Sequence, residues 1–556
     1  MRKAAEAPIG GYDPPSPNRA SASSGHVELG AGRRSPPEDE VGHMTRMSRA
    51  LVALTVIVGV WFSPSAPASA APEGQITIAR TESTAARWFD PAEMDGAVTF
   101  FFYAYALHDA LVKPMPGNSL TPSLAESWSA SPDGLGYEFV LRKGVKFHNG
   151  DPVTAEDVKF SFDRYRGAGA RTLKDRITAV EIVDPGRVRF RLRRPWLDFM
   201  TFYGTLTTGA GWIVPKKYVE KVGDDGFKKA PVGAGPYKFV SFKPGVELVL
   251  EANEQYWGKM PTVKTLVMRS VPDVSTRLVM LKRGEADIAY AFSSSMAEEI
   301  KRTPGLTLRP FYSSLTVWLV FTEQWDPKSP WADRRVRLAA NLALDRQAIN
   351  QAETLGLSKI TASIIPRSLE GAWPAPLYPH DPQKARQLLA EAGYPNGFDA
   401  GPVAVDISWA TITEAVVNDL RAVRIRATVR PMEHAAFIKE YAEKRLRPIV
   451  QSGGSGFGNA VTRLETYVAS TGPFVYGTYP DIEGMMRELA SEDKRAKHDT
   501  LLQRVQQLVH EKVMYAPLFE QAGIGAFGPR VAEPAIGLIT NMATSAPYEE
   551  LRLKGR

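Results

Sequence analysis

The residues with the richest chemical potential in this chain are a glycine loop and the six scattered histidines that follow Ala70. Gly453-Gly454-Ser455-Gly456-Phe457 approaches the Gly-x-Ser-x-Gly elbow that exposes a nucleophilic serine, but Phe457 stands where the last glycine is required. Gly454, Gly456 and Gly458 approach the dinucleotide fingerprint, but Asn459 stands at its third glycine, and no strand-turn-helix unit is evident around them. The loop therefore reads as a flexible segment or a close backbone approach. There is no Gly-x4-Gly-Lys-Ser/Thr phosphate loop and no His-Glu-x-x-His pair. His108, His148, His380, His434, His498 and His510 lack metal-ligand spacing, and with no cysteine in the chain there is no thiolate site, disulfide or Cys nucleophile. The residues point away from catalysis, metal ions and cofactors, and towards binding.

The elements that must position such a binding site are legible from periodicity. Gln75–Ala79, Tyr137–Leu141 and Val188–Leu192 read as strands, as in an α/β chain. Thr154 and Asp157 form a capping box ahead of a helix whose Val158, Ser161, Phe162 and Tyr165 share one face. Pro231–Tyr237 is a turn-rich junction, followed by a hairpin of Lys238–Phe242 and Val246–Glu251 punctuated by Gly245. The second half is more helical. Asp333, Asp345, Asp381 (before Pro382), Asp481 and Asp493 read as N-caps, the last of a helix running to about Val513. Arg189/Arg191 and Arg424/Arg426 alternate with apolar residues and read as solvated strand faces, so no nucleic-acid role is expected.

Met44–Ala70 has the parts of a cleavable export signal. Arg46 and Arg49 precede the apolar run Ala50–Phe62, and Ala68-Ser69-Ala70 offers small residues for cleavage. That run is short for a membrane span, which needs about 20 residues. Residues 1–43 are rich in Pro, Ser, Gly and charge, and read as a disordered or misassigned extension, with Met44 as the initiator. Ala71 stands where a lipoprotein would carry its anchoring cysteine, so a soluble periplasmic protein is expected. About 486 residues follow Ala70, which calls for two or three domains. Their net charge is about +6, a mild bias for that length.

Leu120–Tyr165 carries Leu124-Ala-Glu-Ser-Trp128, Asp133-Gly134, Leu141-Arg-Lys-Gly-Val-Lys-Phe-His-Asn-Gly150 and Ala155-Glu-Asp-Val158 in order. Downstream come Val232-Gly-Ala-Gly-Pro-Tyr237, Asn253-Glu-Gln-Tyr-Trp257, Gly284-Glu-Ala-Asp-Ile288, Asp333-x-Arg-Val-Arg337, Asp345-Arg346 and a stretch from Asp381 to Pro395. The chain thereby resembles the family 5 solute-binding proteins, receptors of peptide, nickel and related ABC importers. The resemblance implies an α/β, bilobed, type II periplasmic-binding-protein-like fold in a three-domain variant. Domain I would comprise 71–106, 230–296 and 514–556, domain II 107–229 and domain III 297–513. The lobes would close on a solute, and membrane permease subunits would recognise the closed monomer.

In peptide-binding members an Asp of a domain III loop pairs with the peptide's amino terminus. The corresponding stretch here, Gln451–Asn459, has no acid. A buried ammonium without a counter-charge costs several kcal/mol. Either Glu465 or another acid substitutes, or the ligand lacks a free amine and is a sugar, an opine-like conjugate or a nickel chelate rather than a peptide. Candidate ligand contacts are Phe101, Phe102 and Tyr103 near the entry to domain II, and Trp409, Ser455, Phe457, Asn459, Glu465, Phe474 and Tyr476 in domain III. Aromatic rings would stack on the ligand while Ser and Asn supply directional hydrogen bonds. A periplasmic hydrolase and a chaperone-like or signalling role are the competing classes.

Overall fold

The computed structural model describes residues 71–94, 100–455 and 458–555. The extension 1–43, the signal 44–70 and Phe457 lie outside them. Among the described residues, the largest sheet has 11 strands. Its first half runs Tyr237–Lys243, Glu247–Ala252, Val263–Ser270, Glu73–Arg80, Ile288–Tyr290. Its second half runs Ile449–Ser455, Phe398–Asp406, Ile425–Met432. Two long antiparallel strands, Tyr515–Phe527 and Thr307–Phe321, join the halves.

Local chemistry explains the elements. Glu73–Arg80 contains the expected first strand and becomes buried along its length as it enters the sheet between two parallel partners. The hairpin turns at Gly245, whose φ of +71° favours glycine. In the second half, the parallel pairing of Phe398–Asp406 with Ile425–Met432 needs a crossover. The helix Ala410–Ala422 supplies it and buries Ile412, Val416, Val417 and Leu420.

Between residues 107 and 230 lies an inserted module around an antiparallel four-stranded sheet, ordered Ala125–Ala130, Gly136–Leu141, Arg187–Leu192, Ile177–Asp184. The capping box forms as expected: Asp157 accepts from the Thr154 backbone N–H at 2.9 Å, and the helix Ala155–Arg164 buries Val158, Ser161 and Phe162. The outward arginines are paired across strands, Arg189 with Glu138 and Arg191 with Glu181. The chain leaves and re-enters at one place. The Gly235 N–H donates to Leu107 O at 3.1 Å, and a Cβ at Gly233 would lie 1.9 Å from that oxygen. The glycines of Pro231–Tyr237 thus let two backbone segments cross in contact.

Asp333, Asp345 and Asp381 cap their helices. Asp481 and Asp493 do not. Pro480 occupies the first helical position of Pro480–Ser491, so Asp481 falls inside the first turn. Lys494 is the N-cap residue of Arg495–Glu511, and Glu492 accepts its N–H. That helix ends at Glu511, short of Val513.

Candidate functional site

The loop after the short strand Lys359–Ile360 and the C-terminal loop around Asn541 border two adjoining half-open cavities, the second of them also lined by the two long strands. The first, of about 410 Å³, lies where residues 114–120 and 201–207 of the inserted module face 368–370, Gly458 and 539–541. Its walls include Asn118, Thr201, Thr205, Thr207 and Ser368, neutral hydrogen-bonding groups, with Leu120, Leu206 and Ile539 as apolar surface. Glu370 is the one charged residue in that lining, among the described residues. It is already engaged: Arg495 lies 2.7 Å from its carboxylate and the Thr201 hydroxyl donates to it at 3.1 Å.

The second cavity, of about 590 Å³, is charged. Arg309, Lys359, Arg367 and Glu520 contribute to its walls, with Tyr312 and Gln521. It shares Ser368, Ile539, Thr540 and Asn541 with the first cavity. The Ser368 hydroxyl donates to Asn541 Oδ1 at 2.6 Å, so the two chambers meet along this bond.

Beside the first cavity the inserted module touches the second sheet half directly. Asn459 Nδ2 donates to Asp198 Oδ1 at 2.6 Å, and Thr201 bonds Glu370. Burial raises the Asp198 carboxyl above the usual range in spite of the Asn459 bond. Glu465 is exposed but sits within this crevice. The surrounding protein raises its carboxyl, Arg176 opposes that, and Asp198 adds to it.

The expected contact residues fall in several places. Phe101, Phe102 and Tyr103 lie on the helix Phe101–Leu107, every residue of which is buried. Phe101 packs on Trp212, Phe102 lies 3.6 Å beneath the Arg80 guanidinium, and Tyr103 bonds the Thr84 hydroxyl at 2.7 Å. They belong to the core and line neither cavity. Trp409 is half-buried, and its indole N–H donates to Gln521 Oε1 at 3.1 Å, at the wall of the second cavity. Ser455 ends its strand opposite Leu315. Asn459 caps the helix Ala460–Tyr467 through the Thr462 N–H while reaching Asp198. Phe474 stacks on Tyr441 at 4.8 Å, and the Tyr476 hydroxyl accepts from the Leu446 N–H. Both pack against the core around Trp318, Ala404 and Val450 and line neither cavity.

The glycine loop does stand between a strand, Ile449–Ser455, and a helix, Ala460–Tyr467. The strand went unseen because only Ile449 and Val450 are apolar before Gln451 and Ser452; backbone pairing on both sides holds it. A Cβ at Gly453 would lie 2.5 Å from the Trp409 ring, and one at Gly454 2.5 Å from the Tyr467 hydroxyl. Close approach, not phosphate binding, accounts for these two glycines.

The cavity residues Arg309, Lys359, Arg367, Glu370 and Asn541 were missed by sequence reasoning. They sit on separate segments with no shared motif. Among the described residues, no group of three or more His, Cys, Asp or Glu is arranged to hold a metal ion. His108 and His148 are structural. Burial lowers them to about 4 and about 3, and each neutral ring donates from Nε2 to a backbone carbonyl, of Phe89 and Gly235 respectively. No helix of the described residues is long and apolar enough to cross a membrane.

A two-bodied α/β fold crossed by two long strands, with polar chambers at the junction, is the architecture of a bilobed solute receptor. The model of the bacterial extracellular solute-binding proteins, family 5 Middle, matches residues 119–474, and the chain belongs to this family. It is 27% identical over 486 residues to heme-binding protein A of Haemophilus influenzae, covering 80% of this chain and 87% of that one. It is 29% identical over 422 residues to di/tripeptide-binding protein 2 of Pseudomonas aeruginosa, covering 68% and 75%. The fold matches the ABC transporter substrate-binding protein CtaP of Listeria monocytogenes with a TM-score of 0.75 at 20% identity, over 87% of this chain and all of that one. The chain is thus a solute-binding protein of the type that serves ABC importers, a family of binders.

Proposed function

We propose that this chain is a periplasmic receptor that captures a short peptide or another polar organic solute between its lobes and delivers it to the permease of an ABC importer. The observation that carries this reading is the first cavity: a half-open space lined by hydroxyl and amide side chains together with apolar Leu120, Leu206 and Ile539, where residues 114–120 and 201–207 face 368–370 and 539–541. Such walls suit a ligand rich in neutral hydrogen-bonding groups. The receptor acts as a monomer, performs no chemistry on its ligand and needs no cofactor. Three domains at the boundaries expected from sequence are part of this proposal, although the cores cross those boundaries. One core draws on residues 111–234 and two others on residues 317–519, while a further one combines 76–110, Leu206 and Trp212 with segments near 237–311 and 527–551. Saturable binding with contraction in small-angle scattering tests the reading, and failure of a broad solute panel to bind or contract the protein refutes it.

A non-peptide solute is the second reading. Gln451–Asn459 has no acid, and the carboxylate of Glu370 is already neutralised by Arg495. Glu465 and Asp198 are the acids placed to receive an ammonium in the crevice. Comparing a dipeptide with its N-acetyl form separates the readings. Loss of binding on acetylation, mirrored by Glu465→Gln, supports a peptide; equal binding of both forms supports a ligand without a free amine.

A further inference from the structure

We propose that the second cavity is an anion subsite, and that the receptor therefore selects an organic solute bearing a carboxylate beside a neutral polar body. This rests on the reading that the junction receives the ligand, and it adds the ligand's charge.

The charges in the lining do not balance. Arg309, Lys359 and Arg367 face a single acid, Glu520. Glu520 is buried and consumed: it accepts from the Arg367 backbone N–H at 3.2 Å, and the Arg367 guanidinium lies 3.4 Å away. Arg309 reaches Glu533, outside the lining, only at 3.9 Å. Lys359 has no carboxylate partner among the described residues; its ammonium lies 3.9 Å from the centre of the Tyr312 ring. Lys359, and Arg309 apart from its long contact with Glu533, therefore remain for whatever enters this half-open cavity.

The neutral groups are biased the same way. Gln521 uses its carbonyl oxygen to accept from Trp409, and Asn541 uses its own to accept from Ser368. Each is left with its NH2, a donor, for the chamber. The Tyr312 hydroxyl is spent on Leu357 O at 2.8 Å. An ionised carboxylate offers acceptors only, and charge-assisted donation from Arg and Lys strengthens each bond. The shared edge at Ser368 and Asn541 lets one molecule place its acid in the second chamber and its neutral body in the first.

The carboxylate could be that of a peptide C-terminus or of a sugar acid. Melting of the purified protein is followed at constant ionic strength with glycylglycine and with gluconate, each against its own amide, and with succinate against succinamide. At least one acid should raise the melting temperature where its amide does not, and the arm in which this occurs identifies the source. The preference should vanish in the double variant Lys359→Gln/Arg309→Gln, whose melting temperature without ligand should match the parent. Equal shifts for acid and amide in every arm, including no shift at all, overturn the proposal, as does a preference that survives in the double variant. A neutral solute that binds and contracts the protein would refute the anion subsite while leaving the receptor reading intact.

Discussion

Replacing Glu549 by Gln should remove a pH dependence of stability that this one buried acid creates. Glu549 is 3% exposed, and its Oε2 has no hydrogen-bond partner. Burial raises its carboxyl from 4.5 to about 7; Lys113 opposes the rise. The folded pKa thus lies above the unfolded one, so the folded state holds the proton more tightly. The stability that goes with that proton is fully present below about pH 4.5 and is lost as pH rises through about 7. A gap of that size corresponds to about 3 kcal/mol in full, most of which falls between pH 5 and pH 8. Gln keeps the shape and cannot ionise. Its unpaired amide adds an offset of about 1 kcal/mol that does not vary with pH. Urea denaturation of both proteins at pH 5 and pH 8 isolates the effect, because every other titrating group cancels in the difference. The variant should gain roughly 2 to 3 kcal/mol on the parent between the two pH values. Parallel pH profiles for the two proteins would refute the assignment of a neutral Glu549 to the folded state.

Asp109→Ala should cost about 3–5 kcal/mol in urea denaturation, because it strands buried Lys113 together with the Tyr256 and Trp257 donors. A loss below about 1 kcal/mol would mean that Lys113 finds another partner or water. Asn459→Ala removes a helix cap, worth about 0.5–2 kcal/mol, and also the bond to Asp198. It should therefore expand the ligand-free protein in small-angle scattering, whereas Asn459→Asp would keep the cap and repel Asp198. Gly453→Ala places a Cβ 2.5 Å from the Trp409 ring, so it should shift tryptophan fluorescence and cost about 1–3 kcal/mol. An unchanged spectrum would show that Trp409 does not pack there.

What could be read from sequence was local. Thr154 and Asp157 signal a capping box because both partners lie within four residues, and the Asp-Pro at 381–382 signals a helix start for the same reason. Family matches supplied the bilobed fold. The cavity residues were not legible, because Arg309, Lys359, Arg367 and Asn541 come together only through the crossing strands and two loops. Phe101–Tyr103 misled for a related reason. An aromatic run near a lobe boundary looks like a stacking surface, but a helix apolar on every side is buried on every side.

Any closure of the lobes must pass through the two crossing strands, and one of them carries its own point of weakness. The pairing of Thr307–Phe321 with Tyr515–Phe527 slips between Tyr312 and Thr316, and Ser314 within the slip has φ +55°. A bulge of this kind locally bends a strand and disrupts its ladder. It also lies between the two halves of the sheet, where bending displaces the lobes most. Arg463, 3% exposed, spans from Ser314 O at 2.9 Å to Gly454 O at 3.0 Å, fastening the bulge to the neighbouring strand. Gly454 can take no side chain because the Arg463 guanidinium and the Tyr467 hydroxyl already occupy the space. Two of the loop's glycines, Gly453 and Gly454, are thus accounted for by packing beside the bulge: Trp409 lies over Gly453, and Arg463 clamps beside Gly454. Ligand seated in the second cavity would touch the same stretch of strand at Arg309–Leu315, so the bulged segment forms one wall of that cavity.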